Sequence, residues 1–193
     1  MAYPLQKSDE KWTYAAYRHW PDDQRWELIE GVAYDMTPAP SRRHQEISGE
    51  FFRQLADYLL DKPCKVFHPP FDVRLPEADE TVDETTNVVQ PDITVVCDRD
   101  KLDDAGCVGA PNLIIEILSP STTKKDQMEK FFLYERHGVK EYWIVDPLAQ
   151  VVHVYRLGSD NRYGRPDLHG PEDRPVVGIL PGLVIDLPLV FRD

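Results

Sequence analysis

The stretch Pro111-Asn-Leu-Ile-Ile-Glu116-Ile-Leu-Ser119-Pro decides the reading of this sequence. A short β-branched run between prolines has the length of a strand. Its near-continuous apolarity predicts burial on both faces, hence a place near the centre of a sheet. One residue breaks the pattern. An ionised carboxylate among isoleucines and leucines is costly to bury unless it is paired or metal-bound, so Glu116 needs a partner. Strand alternation puts Ile114, Glu116 and Leu118 on one face, and Ile115 and Ile117 on the other.

Upstream, Asp92-Ile-Thr-Val-Val-Cys97 is a second run of the same kind. If the two strands are neighbours, Asp92 and Glu116 converge into a ligand pair for a hard divalent cation, which takes oxygen donors from one or two carboxylates plus water. The competing readings are plain ones: Glu116 near the strand end, paired with a lysine or arginine, and Asp92 capping a turn after Pro91.

Downstream, Ser119-Pro-Ser-Thr-Thr opens a helix over about 121–137 that Gly138 closes. At about 100° per residue, Asp126, Lys130, Tyr134 and His137 share one stripe, and Met128, Phe131 and Phe132 form the apolar side. A solvated Asp126–Lys130 pair at i, i+4 explains the same spacing.

Further out, a short helix is expected at 13–20 with Thr13 as a cap, and two strands at 26–29 and 32–36 around Glu30-Gly31. An amphipathic helix follows over 42–61, led by Ser41 and carrying Ile47, Phe51, Phe52, Leu55, Tyr58 and Leu59 at helical spacing. Residues 65–75 are strand-like but interrupted at Pro69-Pro70, 77–87 form a polar acidic loop, and 98–111 form a charged connection. A hairpin is expected from 141–145 and 150–157, and strands at 176–180 and 183–187 flank Pro181-Gly182. The order helix, strands, helix, strands predicts an α/β or α+β fold with a central mixed sheet. No repeat or linker divides the chain. A single domain over 1–193 is expected, with a helix and hairpin extension at 1–40, a core at 41–147 and C-terminal strands at 148–193.

The 193 residues are 41% hydrophobic, which excludes collagen-like and wholly disordered readings. With 34 acids against 22 bases the net charge is -12, which argues against a general nucleic-acid coat or an anionic-membrane binder. Residues 77–104 hold ten acids and two bases, so much of the excess is local, while 124–140 is a modest basic island. Cys64, Cys97 and Cys107 sit singly and are read as reduced thiols, and with no apolar leader or membrane-length segment a cytoplasmic location is expected. The histidines lack H-E-x-x-H spacing, there is no phosphate-cradling glycine loop, and Ser119 lacks a nucleophile elbow.

Taken in order, Trp26-Glu27-Leu28-Ile29-Glu30-Gly31, Pro91-Asp92-Ile-Thr-Val-Val, Pro111 through Ser119-Pro-Ser, Asp126 to Lys130 to Tyr134, Gly138-Val139-Lys-Glu141-Tyr142-Trp143-Ile-Val-Asp146-Pro147 and Leu180-Pro181-Gly182-Leu183 resemble the Uma two family of restriction-endonuclease-like proteins. The resemblance implies a restriction-endonuclease-like fold of the PD-(D/E)XK nuclease superfamily: a central mixed sheet flanked by helices, with added N- and C-terminal hairpins. It implies a metal-dependent endonuclease acting on DNA, in which Asp92, Glu116 and the backbone carbonyl of Ile117 hold Mg²⁺ or Mn²⁺. The usual lysine would stand two residues after the acid, where this sequence has Leu118, and Lys130 matches a family position for a lysine moved to the next helix. Asp126 and Tyr134 are implied as supports. Glu30 and His44 match further family positions, against their plainer readings as a turn residue and a solvent-facing residue of a helix's first turn. A homodimer is expected on the resemblance. The alternative is a nuclease-fold binding or regulatory module with little or no cleavage activity, favoured by Leu118 and the acidic surface.

Overall fold

The computed structural model describes residues 11–21, 25–36, 39–119 and 125–192, with backbone alone for 125–127. A short helix α1 (Tyr14–Tyr17) leads in; Thr13 precedes it without a side-chain cap bond. Strands β1 (Trp26–Ile29) and β2 (Val32–Asp35) then form a hairpin. Its turn places Glu30 at φ 52° and Gly31 at φ 79°, the double left-handed geometry that matches the twist of the flanking strands.

Helix α2 (Arg42–Leu59) starts where Ser41 Oγ accepts the His44 N–H at 3.2 Å. It buries Ile47, Phe51, Leu55 and Leu59. Strands β3 (Lys65–Phe67) and β4 (Asp72–Arg74) fall in different sheets, separated by the cis Pro69–Pro70 bond. Strands β5 (Val88–Val89) and β6 (Ile93–Val96) follow. The expected connection at 98–111 contains more order than its charge suggests: a 3-10 turn at Arg99–Lys101 and two short strands, β7 (Leu102–Asp103) and β8 (Gly106–Val108).

Strand β9 (Leu113–Ile117) is buried throughout. Lys125–Lys130 winds as a π-helix and runs into α3 (Phe131–His137), which ends at Gly138 in the left-handed conformation, φ 84°. The expected helix start at 120–124 lies outside the described residues. Strands β10 (Glu141–Asp146) and β11 (Val151–Arg156) form the expected hairpin, and β12 (Asp167–His169) extends it. The strands expected at 176–187 reduce to one bridge, Val176 to Val184, before a final turn of helix, α4 (Leu187–Val190).

The described residues form two mixed six-stranded sheets, ordered β2-β1-β5-β4-β8-β7 and β12-β11-β10-β9-β6-β3. The two apolar runs of the sequence stand side by side in the second sheet. There β9 pairs antiparallel with β6 and parallel with β10; the latter needs the crossover that the π turn and α3 supply. Ile115 and Ile117 face α2 and the C-terminal segment, with Trp143 and Phe51. Ile114 and Leu118 face α3 and the first sheet, with Leu133, Tyr134 and Val73.

The cysteine reading is corrected. Cys64 and Cys97 form a disulfide, and only Cys107 is a free, buried thiol. Lys65 lies opposite Val96 in the β3–β6 ladder, so the next residue outward on each strand is a cysteine facing its partner. That register is a property of the sheet, invisible in a sequence separation of 33. Among the described residues, no helix is long and apolar enough to cross a membrane.

Candidate active site

Ile93 lies opposite Ile115 and Thr94 opposite Ile114, so the next step along the register sets Asp92 opposite Glu116. Residues so placed point to the same face of a sheet, with Cα atoms about 4.5–5.5 Å apart. Asp92 Oδ2 accepts the Ile117 N–H at 2.8 Å and stands 3.2 Å from His44 Nε2. His44 is 6% exposed, so this first-turn residue of α2 points to the sheet rather than to solvent.

Glu116 has its partners. Its Oε1 accepts from Lys130 Nζ at 2.7 Å and from the Tyr134 hydroxyl at 2.8 Å. The same ammonium lies 2.9 Å from Glu27 Oε1 on β1, so it joins an acid of each sheet. Glu27, Glu116, Lys130 and Tyr134 are all buried. Lys130 closes the π turn and Tyr134 follows four residues on in α3, which puts both on one face. π-Helical turns recur at functional sites. Burial, reinforced by the Glu116 charge, holds the Tyr134 phenol well above its ordinary pKa, so it remains a hydrogen-bond donor to that carboxylate.

The structure therefore joins Glu116, Lys130 and Tyr134 with Glu27, and Asp92 with His44 and the Ile117 N–H, the two sets one register step apart. Leu118, at the strand position of the usual lysine, packs in the apolar cluster beside Tyr134. Glu30 does not join: it sits on the hairpin turn, 63% exposed at its side chain, 3.0 Å from Arg136, which is the plainer of its two readings. Asp126 lies in the π turn, and its side chain is outside the described residues. His137 turns to Glu77 at 3.4 Å instead of following the stripe into the site.

Two members escaped the sequence reading. Glu27 is an acid inside the apolar run Trp26-Glu-Leu-Ile, the same signal that marked Glu116. Gln90, just before Pro91-Asp92, donates its backbone N–H to Glu27 Oε1 at 2.9 Å. Its side chain spans further, accepting from Arg25 Nε at 3.0 Å and donating to Asp72 Oδ1 at 2.9 Å. Tyr17 donates to the same Asp72 oxygen at 3.0 Å, and burial raises the Asp72 carboxyl above the usual carboxylate range. A cavity of about 300 Å³ opens on Asp92 and Arg25 from the side of α2.

The chain is similar to proteins of cyanobacteria. Uncharacterized protein slr1290 of Synechocystis sp. strain PCC 6803 is 26% identical over 147 residues, covering 75% of this chain and 73% of its own. Uncharacterized protein sll1609 of the same organism is 26% identical over 150 residues, covering 76% and 80%. A crystal structure described as a "putative nuclease belonging to DUF820" from Anabaena variabilis superposes with a TM-score of 0.73 at 21% identity, covering 93% of this chain and 97% of that one. That likeness shows a shared fold. The family model Uma2, described as "Putative restriction endonuclease", matches residues 14–188, a span that carries every residue of the buried cluster, and the chain belongs to this family.

Proposed function

We propose that the protein is a divalent-metal-dependent endonuclease that hydrolyses DNA phosphodiester bonds. Asp92 and Glu116 are its metal carboxylates, with the Ile117 carbonyl beside them, and Lys130 is the lysine of the site, supplied from the following helix. One observation carries the reading: an ammonium from 14 residues downstream lies on the buried Glu116 carboxylate, while the strand position for a lysine is apolar. The family and the neighbour's fold support it.

The donor chemistry fits Mg²⁺ or Mn²⁺. Opposed carboxylates and a main-chain carbonyl are hard oxygens, and such ions keep several waters, so a pair of carboxylates suffices. Glu27 and Glu116 against Lys130 leave one formal negative charge in a buried cluster, and Asp92, 19% exposed at its side chain and one register step away, adds a second. Among the described residues no three acid, histidine or cysteine side chains converge on one metal position, so a dication there takes its remaining donors from water. A bound ion supplies Lewis acidity toward a phosphate oxygen and toward water. The side chains do the rest. His44 and the Ile117 N–H hold one Asp92 oxygen and leave the other for a ligand. Tyr134 orients Glu116. Lys130, held in place by Glu27, orients the attacking water or offsets charge that builds on the phosphate in the transition state.

A second reading has an observation of its own. Lys130 is 2% exposed at its side chain and already bound to both Glu27 and Glu116, which suits a nuclease-fold binding module that does not cut. Nicking of supercoiled plasmid and thermal melting with Mn²⁺ separate the two. The enzyme reading expects divalent-dependent nicking lost in Asp92→Ala and Glu116→Gln, and a melting-temperature rise with Mn²⁺ that Glu116→Gln abolishes. Nicking that persists unchanged in both variants overturns the assigned site; no nicking and no Mn²⁺ shift in the wild type leaves the module.

A further inference from the structure

We propose that the cavity beside Asp92 is a subsite for one unpaired nucleotide of a DNA strand, its phosphate on Arg25 and its base against Phe52 and His68. The inference rests on the nuclease reading for the role of Asp92 and adds the form of substrate the site takes.

The cavity holds about 300 Å³, at the small end of ligand pockets. One wall is a stripe of α2: Gln45, Ser48, Gly49 and Phe52, at i, i+3, i+4 and i+7. Gly49 lies in the helix interior, where glycine lowers stability relative to alanine. A Cβ added there meets no atom within 4 Å. The missing side chain is open space, not a packing need.

Arg25 and Asp92 also line the cavity. Its Nε donates to the neutral Gln90 amide, and among the described residues no carboxylate pairs with its guanidinium. Arg18, Arg74, Arg136, Arg156 and Arg162 each lie on one. In a chain of net charge -12, a guanidinium at a cavity wall with no described acid in an ion pair with it is suited to the bidentate grip of a phosphate. Gln90 ties this arginine to the site, because its backbone N–H holds Glu27 and the chain passes directly from it to Pro91-Asp92.

Phe52, on that stripe, and His68 both line the cavity, their ring centroids 5.0 Å apart and their planes at 84°. The His68 ring is fixed by the Pro69 carbonyl, 2.9 Å from its Nδ1. An aromatic face in a concave site offers stacking to a base. A paired base is covered on both faces and shows a protein only its edges, so it reaches such a face only after leaving the stack.

The test is fluorescence anisotropy in EDTA with a labelled single-stranded oligonucleotide and its blunt duplex. The single strand binds about tenfold tighter than the duplex. Arg25→Gln and Gly49→Leu, the second filling the cavity, each weaken single-strand binding by about the same factor, while Gly49→Ala does not. Circular dichroism confirms that each variant is folded. Equal affinity for strand and duplex, no binding of either, or wild-type binding by folded Gly49→Leu overturns the subsite. The Mn²⁺ thermal shift reads the other proposal separately. An intact shift without strand preference sinks the subsite alone, and strand preference with neither nicking nor a shift in the wild type sinks the nuclease reading alone.

Discussion

Replacing Lys130 by methionine keeps the apolar stem and removes the ammonium between Glu27 and Glu116. At 2.9 and 2.7 Å, each attraction is worth about 6 kcal/mol at an effective dielectric near 20. Desolvation of three buried ions offsets much of that. What the variant leaves is two carboxylates at 0% and 4% exposure without the ammonium that joined them. Breaking a buried pair in this way costs about 3–5 kcal/mol, or roughly 6–20 °C of melting temperature for a chain of this size. Urea titration followed by tryptophan fluorescence measures it, with the fully buried Trp143 as a core reporter. Adding Glu116→Gln removes one stranded charge, so the double variant recovers at least about 1 kcal/mol relative to the sum of the single losses. A Lys130→Met protein within about 1 kcal/mol of wild type, or strictly additive losses, would refute the account of a charge-coupled triad.

Reduction of the Cys64–Cys97 bridge, which closes a separation of 33 residues, costs about 3–4 kcal/mol on the chain-entropy account. Thiol titration in denaturant without reductant finds one thiol per chain, Cys107; three would remove the bridge. Gly138→Ala, at φ 84°, costs about 1–2 kcal/mol, read from the urea midpoint, and no loss would mean that the helix ends differently. Burial holds the phenols of Tyr17, Tyr134 and Tyr163 above their ordinary value and pushes Tyr34 up to about 12. The unfolded chain ionises at about pH 10, so it loses those protons first, and stability is intact below about pH 10 and falls as pH rises through the folded values. Phenolate absorbance and circular dichroism report this together. Full tyrosine ionisation with the dichroism intact at about pH 11 would contradict the burial.

Much of the candidate site's geometry was legible because it rests on local rules. A carboxylate inside an apolar strand advertises a partner, and side-chain alternation fixed the face on which Glu116 lies. Helical spacing grouped Lys130 with Tyr134 although the turn before α3 is π-helical, because the pair itself falls across the junction into regular helix. Glu27 carried the same signal as Glu116. A four-residue hairpin strand gives too short a pattern to reveal that both of its faces are covered. Glu30, three residues on, matched a family position yet sits on the turn.

The sequence by itself determined the two central apolar strands, the 141–157 hairpin, the long helix and the need of Glu116 for company, since periodicity and the cost of burying charge act along the chain. Which groups meet was decided only by the tertiary structure. Strand register set Asp92 opposite Glu116 and Cys64 beside Cys97, and the approach of the first sheet to the second brought Glu27 to Lys130 and Arg25 to the cavity. Those contacts join residues 25–30 to residues 90–130. They depend on how sheets stack and slide into register, which no local pattern encodes.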